Sequence, residues 1–121
     1  MLVVMRYRVE AGDREAFLAE ARTALEALAA RPGCTGGSVA RSVDEPDLWV
    51  LQTSWTAAGA YRRALSAPEV KVAAVPLMYR ALQEPSAYEP LVTWTPDGGL
   101  RDRDGDLAPD AAHATPGRRG R

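Results

Sequence analysis

Residues 48–55 (LWVLQTSW) carry the pattern that most constrains the fold, because their side chains alternate in character over eight positions. An extended strand places alternate side chains on opposite faces. One face would therefore carry Trp49, Leu51, Thr53 and Trp55. This segment predicts a β-strand that presents two large aromatic side chains to a single side of a sheet.

The rest of the chain predicts an α+β order around this strand. The other strands are expected over 2–9, 34–42 and 86–93. Apolar residues at helical spacing from Phe17 to Leu28 predict an amphipathic helix after the first strand. A second helical segment, interrupted at Pro68 and disturbed again at Pro76, is expected before the last strand. The order β-α-β-β-α-β is that of the ferredoxin-like split βαβ arrangement, a four-stranded antiparallel sheet with its helices on one face.

The other face of such a sheet is left uncovered. Val50 and Val92 are expected on it, and an apolar face of this kind is typical of an interaction surface. We therefore expect a homodimer formed face to face through the sheets. Arg6 and Arg8 would need carboxylate partners if they lie on the dimer-facing side, and Glu89 is one candidate.

Residues 95–121 differ in composition from the rest of the chain. They contain no aromatic residue and two leucines, and their five arginines balance five aspartates. Such a segment buries too little apolar surface to offset an ordering entropy of about 1–2 kcal/mol per residue. We expect one domain over residues 1–94 and a disordered C-terminal tail over 95–121.

Charge and residue usage exclude several function classes. The 15 basic and 16 acidic residues give a net charge of −1, which argues against a nucleic-acid partner. The single cysteine and the single histidine, His113 in the predicted tail, leave the domain without a cysteine or histidine metal site. No apolar stretch approaches the roughly 18 residues of a membrane span, and the N-terminus does not resemble a signal peptide. The expected location is the cytoplasm, with no membrane partner.

Five short segments, in their order and spacing, carry a resemblance to a known family. They are VEAGDREAF (9–17), RPGCTGG (31–37), the strand end at 54–55 followed by Ala60 and Tyr61, SAPEV (66–70) and PSAYE (85–89). Over about residues 1–93 the chain resembles the antibiotic biosynthesis monooxygenase family of small dimeric α+β barrel proteins. The resemblance implies a homodimer with a pocket between the sheet and helices of each subunit. For some members it implies oxidation of polyketide phenols or anthrones to quinones without flavin, haem or metal, and hence no cofactor.

A separate branch of that family binds and degrades haem. It uses an asparagine on the first strand, a tryptophan at the end of the third strand, and a histidine about nine residues further on. Trp55 matches the tryptophan, but the ninth residue beyond it is Ala64, and the chain contains no asparagine. The resemblance therefore argues against haem degradation.

Oxygenation without a cofactor requires an electron-rich phenol or enol in an apolar pocket that favours its anion. The candidate catalytic residues are Trp55, Tyr61 and Arg62. Arg62 would lower the pKa of the phenol by charge pairing, and Tyr61 would donate a hydrogen bond to the developing oxyanion. The candidate substrate-binding residues, on the sheet side and the helix side of the pocket, are Trp49, Leu51, Met78 and Tyr79.

Each of these residues also has an interpretation without chemistry, as a packed aromatic side chain or an arginine on a solvent-exposed face. The missing asparagine and histidine favour an alternative function. In that alternative the chain is a non-catalytic dimeric barrel, an accessory protein that binds a small hydrophobic ligand. The sequence leaves the identity of the substrate open.

Overall fold

Strands and helices follow one another through residue 88 in nearly the order that the sequence predicts. The computed structural model describes residues 1–103, and a first compact unit covers Met1–Tyr88. Its elements are β1 (Leu2–Arg8), a 3-10 turn (Ala11–Asp13), α1 (Arg14–Ala29), β2 (Cys34–Arg41), β3 (Leu48–Trp55), α2 (Ala58–Leu65), α3 (Pro68–Ala73), α4 (Val75–Met78) and β4 (Ala87–Tyr88).

The first unit is built on a four-stranded sheet in the strand order β2-β3-β1-β4. Every neighbouring pair is antiparallel. The prediction of a ferredoxin-like α+β fold is confirmed. Leu51 in the central strand β3 lies opposite Met5 of β1 and opposite Val39 of β2, so these three residues form one row across the sheet.

The core forms on the sheet face that β3 fills with its large side chains. All four residues predicted for that face of β3 are buried, as are Val3, Met5 and Tyr7 of β1. Helix α1 contributes Phe17, Ala21, Ala24 and Leu28, spaced for one helical face. In residues 1–103 no helix combines the length and the apolar character that a membrane crossing requires.

The structure differs from the sequence prediction after residue 86. Strand β4 contains only Ala87 and Tyr88, which pair with Val3 and Leu2, whereas the sequence predicts one strand over 86–93. Pro90 follows directly, and proline has no N–H with which to continue a strand ladder.

A second unit, which begins at Glu89, contains an antiparallel hairpin of β5 (Val92–Thr95) and β6 (Gly99–Asp102). Residues 95–102, expected in the disordered tail, therefore include strand structure. Val92 belongs to this hairpin, so the expectation that it lies on the uncovered face of the four-stranded sheet is wrong. The remainder of the predicted tail, 104–121, lies outside the described residues.

Candidate functional site

Trp55 and Tyr61 meet where strand β3 passes into helix α2. Their ring centroids are 5.5 Å apart with an interplanar angle of 53°. The Trp55 side chain is 3% exposed, and its indole Nε1 donates a hydrogen bond of 2.9 Å to Oγ1 of Thr53. Because residues two apart on a strand share a face, Thr53 holds the indole against the helical layer.

The hydroxyl of Tyr61 is the free polar group of this pair. Burial raises the pKa of Tyr61 to about 12, so the side chain is protonated at neutral pH. Within residues 1–103 the hydroxyl has no hydrogen-bond partner. Tyr61 is therefore a protonated donor whose proton no neighbouring protein group uses.

Tyr61 lines a small void between the sheet and the helices. Its polar lining residues are Tyr61 and Thr53; the others are Val3, Met5, Leu28, Leu51 and Met78. The void has a volume of about 10 Å³, close to the minimum that holds one water molecule. We call it the inner void. An aromatic substrate enters it only if a lining side chain moves.

A much larger cleft lies on the helical side of the first unit. It has a volume of about 550 Å³ and is lined by Leu65, Lys71, Val75, Met78 and Tyr79. This volume falls within the range of small-molecule sites. We call it the outer cleft. Met78 is the lining residue that it shares with the inner void, and the unbranched methionine side chain changes rotamer readily.

Some of the predicted site residues are brought together by this arrangement. Leu51, Tyr61 and Met78 line the inner void, and Met78 and Tyr79 line the outer cleft. Trp55 packs on Tyr61. These residues come from β3, from α2 and from the end of α4, so the candidate site spans the boundary between the sheet and the helices.

Trp55 lines neither cavity itself, and two other predicted residues lie apart from both. Trp49 packs edge-on against Phe17 with ring centroids 5.5 Å apart, and the guanidinium carbon of Arg41 lies 5.7 Å from its ring. Arg62 is exposed, and it lines neither the inner void nor the outer cleft. Among the residues that line the outer cleft, Lys71 carries a positive charge.

The sequence prediction missed Leu65, Lys71 and Val75. A signal for two of them is present, because Lys71, Val75 and Met78 are spaced by four and three residues, as on one helical face. Lys71 is also the only lysine in the chain. Pro76 conceals this face, because a proline within a helical segment predicts a disturbance of the helix. It occupies the first turn of α4, where its missing N–H is tolerated.

The two arginines of β1 have carboxylate partners other than Glu89, the predicted one. Arg6 forms two hydrogen bonds with Glu84, of 2.6 Å and 2.7 Å. Arg8 bonds Glu45 at 2.7 Å. The hydrogen bond and the charge of Arg6 lower the pKa of the Glu84 carboxyl. In the described part of the chain, no three histidine, cysteine, aspartate or glutamate side chains converge where they could hold a metal ion.

The family model and the solved structures that match this chain point to the same family. Residues 1–75 match the family model described as "Antibiotic biosynthesis monooxygenase". SnoaB, a cofactor-independent oxygenase from Streptomyces nogalater, is 26% identical with a TM-score of 0.56, over 67% of this chain and 82% of SnoaB. A single-substitution variant of SnoaB is 30% identical with a TM-score of 0.54, over the same shares.

Other matches bear on the fold alone. A conserved protein from Methanosarcina mazei Go1 is 17% identical, with a TM-score of 0.58, over 71% of this chain and 84% of that protein. No curated protein matches the sequence.

Proposed function

Because this chain belongs to the antibiotic biosynthesis monooxygenase family, we propose that it oxidises an aromatic phenol or quinol of the polyketide type to a quinone with O2, without a cofactor. The likeness to SnoaB, at 26% and 30% identity, supports the cofactor-independent chemistry. The proposal rests on one observation in this chain. Tyr61 is a protonated hydrogen-bond donor without a partner among residues 1–103, and it lines a void at the boundary between sheet and helices.

The reaction needs the substrate itself to supply electrons. The phenol loses a proton to solvent water, and the resulting anion transfers an electron to O2. The two radicals then join through a new C–O bond, and protonation gives a hydroperoxide. Loss of water from the hydroperoxide breaks the O–O bond and the C–H bond on the same carbon. One oxygen atom thus becomes the quinone carbonyl and the other leaves as water.

Tyr61 would act on the charge that develops during this sequence. Its hydroxyl would donate a hydrogen bond to the phenolate oxygen, which favours the anion from which the electron leaves. Trp55 would hold the Tyr61 ring in place through their ring contact, and Thr53 would hold Trp55 through its hydrogen bond. Leu51 and Met78 would keep water from the reacting atoms.

Access to Tyr61 would require a movement of Met78. The inner void is too small for an aromatic ring, whereas the outer cleft has a volume suited to one. A rotamer change at Met78, which lines both, would join the two spaces. In this proposal the substrate lies in the outer cleft and extends its reacting ring towards Tyr61.

The decisive experiment measures oxygen uptake by the chelator-treated protein with an anthrone, together with quinone absorbance. The proposal requires protein-dependent uptake with one quinone formed for each O2 consumed. Replacement Tyr61→Phe should then reduce turnover by about 10²-fold, the effect of losing one oxyanion donor. Its stability should change little, because the lost hydroxyl has no protein partner in residues 1–103.

The matched control is Tyr88→Phe. Tyr88 is exposed, and its hydroxyl bonds the carbonyl of Pro85, away from the lining of both cavities. Turnover of this variant should equal that of the unmodified protein. Full activity in Tyr61→Phe would contradict the assignment. Trp55→Phe is less informative, because truncating a buried indole is expected to destabilise the fold as well.

One observation favours a second candidate function. The inner void has Thr53 and Tyr61 as its polar lining residues, and neither side chain accepts a proton readily at neutral pH. A barrel of this kind could bind a small hydrophobic ligand as a non-catalytic accessory protein. Ligand binding without any oxygen uptake across a panel of phenols and quinols would support this function over the first.

We also propose that the chain forms a homodimer through the uncovered face of its sheet, with the cytoplasm as the expected location. The charges of Arg6 and Arg8 are paired with Glu84 and Glu45 within one subunit. Paired charges can lie against a partner at a smaller desolvation penalty than free ones.

A further inference from the structure

Among the described residues that line the outer cleft, one is charged. Of its five lining residues, Leu65, Val75, Met78 and Tyr79 are apolar or aromatic, and Lys71 supplies an ammonium group. Within residues 1–103, no acidic side chain belongs to that lining. The described lining of the cleft therefore combines one ammonium group with apolar and aromatic side chains.

Lys71 differs in its pairing from three arginines of the same unit. Arg6, Arg8 and Arg80 each bond a carboxylate. Lys71 has no ion-pair partner among residues 1–103. Lys71 is exposed, and a cation that no carboxylate of residues 1–103 neutralises is available to pair with an anionic ligand.

Tyr79 adds a surface for an aromatic ring. It is 84% exposed although it borders this apolar space, so most of its ring is available for contact. Aromatic side chains pack favourably against the ring of a ligand in offset or edge-to-face arrangements. An ammonium group, an exposed phenol ring and three apolar side chains together suit a ligand that is flat, apolar and acidic at one edge.

We propose that the outer cleft binds an aromatic compound bearing an acidic group that is ionised at neutral pH, with Lys71 paired to that group and the ring against Tyr79. The inference rests on the proposed function, which it deepens. It assigns to the substrate an acidic group distinct from the phenol that reacts. Lys71 is thus a substrate-binding residue that selects acidic substrates over neutral ones of the same shape.

The test uses two fluorescent probes that share one ring system, 8-anilinonaphthalene-1-sulfonate and the uncharged N-phenyl-1-naphthylamine. Each is titrated into the full chain and into Lys71→Gln. We expect the variant to bind the sulfonate up to about five-fold more weakly, as for loss of one exposed ion pair. The affinity for the neutral probe should stay unchanged.

Three further proteins complete the design. Arg22→Gln removes the same charge from an exposed position on α1 that lines neither cavity, and it should bind both probes like the unmodified chain. Lys71→Arg should restore binding of the sulfonate. Tyr79→Ala should weaken both probes, because the ring surface is lost. Thermal unfolding of every variant checks that its fold is intact.

Several results would overturn the inference. They are failure of both probes to bind, equal weakening of both probes in Lys71→Gln, or equal weakening of the sulfonate in Arg22→Gln. These outcomes are independent of oxygen uptake. A chain that binds the sulfonate through Lys71 but consumes no oxygen with acidic or neutral phenols would retain the binding site and refute the monooxygenase proposal. Oxygen uptake that depends on Tyr61 but not on Lys71 would support the monooxygenase proposal and refute the binding site at Lys71.

Discussion

Burial controls the protonation of two tyrosines in the core, Tyr7 and Tyr61. Desolvation is the largest cause for each, and it raises the pKa of each to about 12; the charge of Arg80 partly opposes this shift at Tyr7. The hydroxyl of Tyr7 donates to the carbonyl of Leu77 at 3.1 Å. Tyr61 has no such partner in residues 1–103. Both tyrosines are protonated at neutral pH, but the hydroxyl of Tyr61, unlike that of Tyr7, remains available to donate a hydrogen bond to a ligand.

The raised pKa of Tyr61 predicts how stability depends on pH. The phenolic hydroxyl has a pKa of about 10 in the unfolded state. In the folded state its pKa is about 12. Protonated tyrosine therefore favours the folded state, and this contribution is full below pH 10 and is lost as the pH rises through 12. Thermal unfolding at pH 9, 10 and 11 should show a falling melting temperature, with a smaller fall in Tyr61→Phe.

Tyr88→Phe serves as the control for this measurement, because Tyr88 is exposed. Its melting temperature should fall with rising pH in parallel with that of the unmodified chain. If Tyr61→Phe also follows that curve, the hydroxyl of Tyr61 is not held in its protonated form by the fold.

At the scale of elements, helix α1 lies close against β2 because of a glycine. A Cβ atom added to Gly37 would lie 2.7 Å from Cδ1 of Leu25 and 2.9 Å from the carbonyl oxygen of Gln52. The leucine side chain can rotate away, but the carbonyl belongs to the sheet ladder and cannot move without disturbing it. The close approach of α1 to this edge of the sheet therefore requires glycine at this position.

We accordingly expect Gly37→Ala to lower the free energy of unfolding by about 1–3 kcal/mol, as for other overpacked positions. The neighbouring Gly36 provides a control, because an added Cβ there would meet no atom within 4 Å. Urea unfolding of Gly36→Ala should match or slightly exceed the stability of the unmodified chain. Equal stability in the two variants would show that α1 can withdraw from β2 without loss.

Sequence patterns predict an element well when the pattern of its side chains repeats within a few residues. The alternation in β3 identified its buried face, since a two-residue period needs no information from distant parts of the chain. The hairpin of β5 and β6 was missed for the opposite reason. Its turn signal, the Pro-Asp-Gly-Gly of 96–99 between Trp94 and Leu100, is local, but composition averaged over 95–121 concealed it.

The candidate site was predictable only in part. Tyr61 was named from a family position and Met78 from the second helical segment, and both line cavities. The sequence does not predict Lys71 as a site residue, because the outer cleft is formed by residues of α2, α3 and α4 together. The relative placement of three short helices depends on tertiary packing, which no periodicity within one of them describes.

At the scale of the whole molecule, the face of the sheet that points away from the core of the first unit bears on assembly. Val4 of β1 and Val50 of β3 alternate with buried neighbours, so they lie on the face away from the core, where each is partly exposed. Gln52 lies on the same face, and its side chain bonds Ser38 and Ser54. Apolar side chains, a satisfied amide and paired arginines together suit contact with a second copy of the sheet.

This interpretation predicts that Val50→Glu converts a dimer into a folded monomer, because each subunit would otherwise bury an unpaired carboxylate in the interface. Sedimentation velocity measures the change, and circular dichroism checks that the fold persists. The matched control is Val43→Glu, since Val43 is 95% exposed in the turn before β3. A dimer that survives Val50→Glu, or an unmodified chain that sediments as a monomer, would contradict the proposed interface. Because every described residue that lines the outer cleft lies within 65–79 of one chain, the Val50→Glu monomer should still bind the anilinonaphthalene sulfonate.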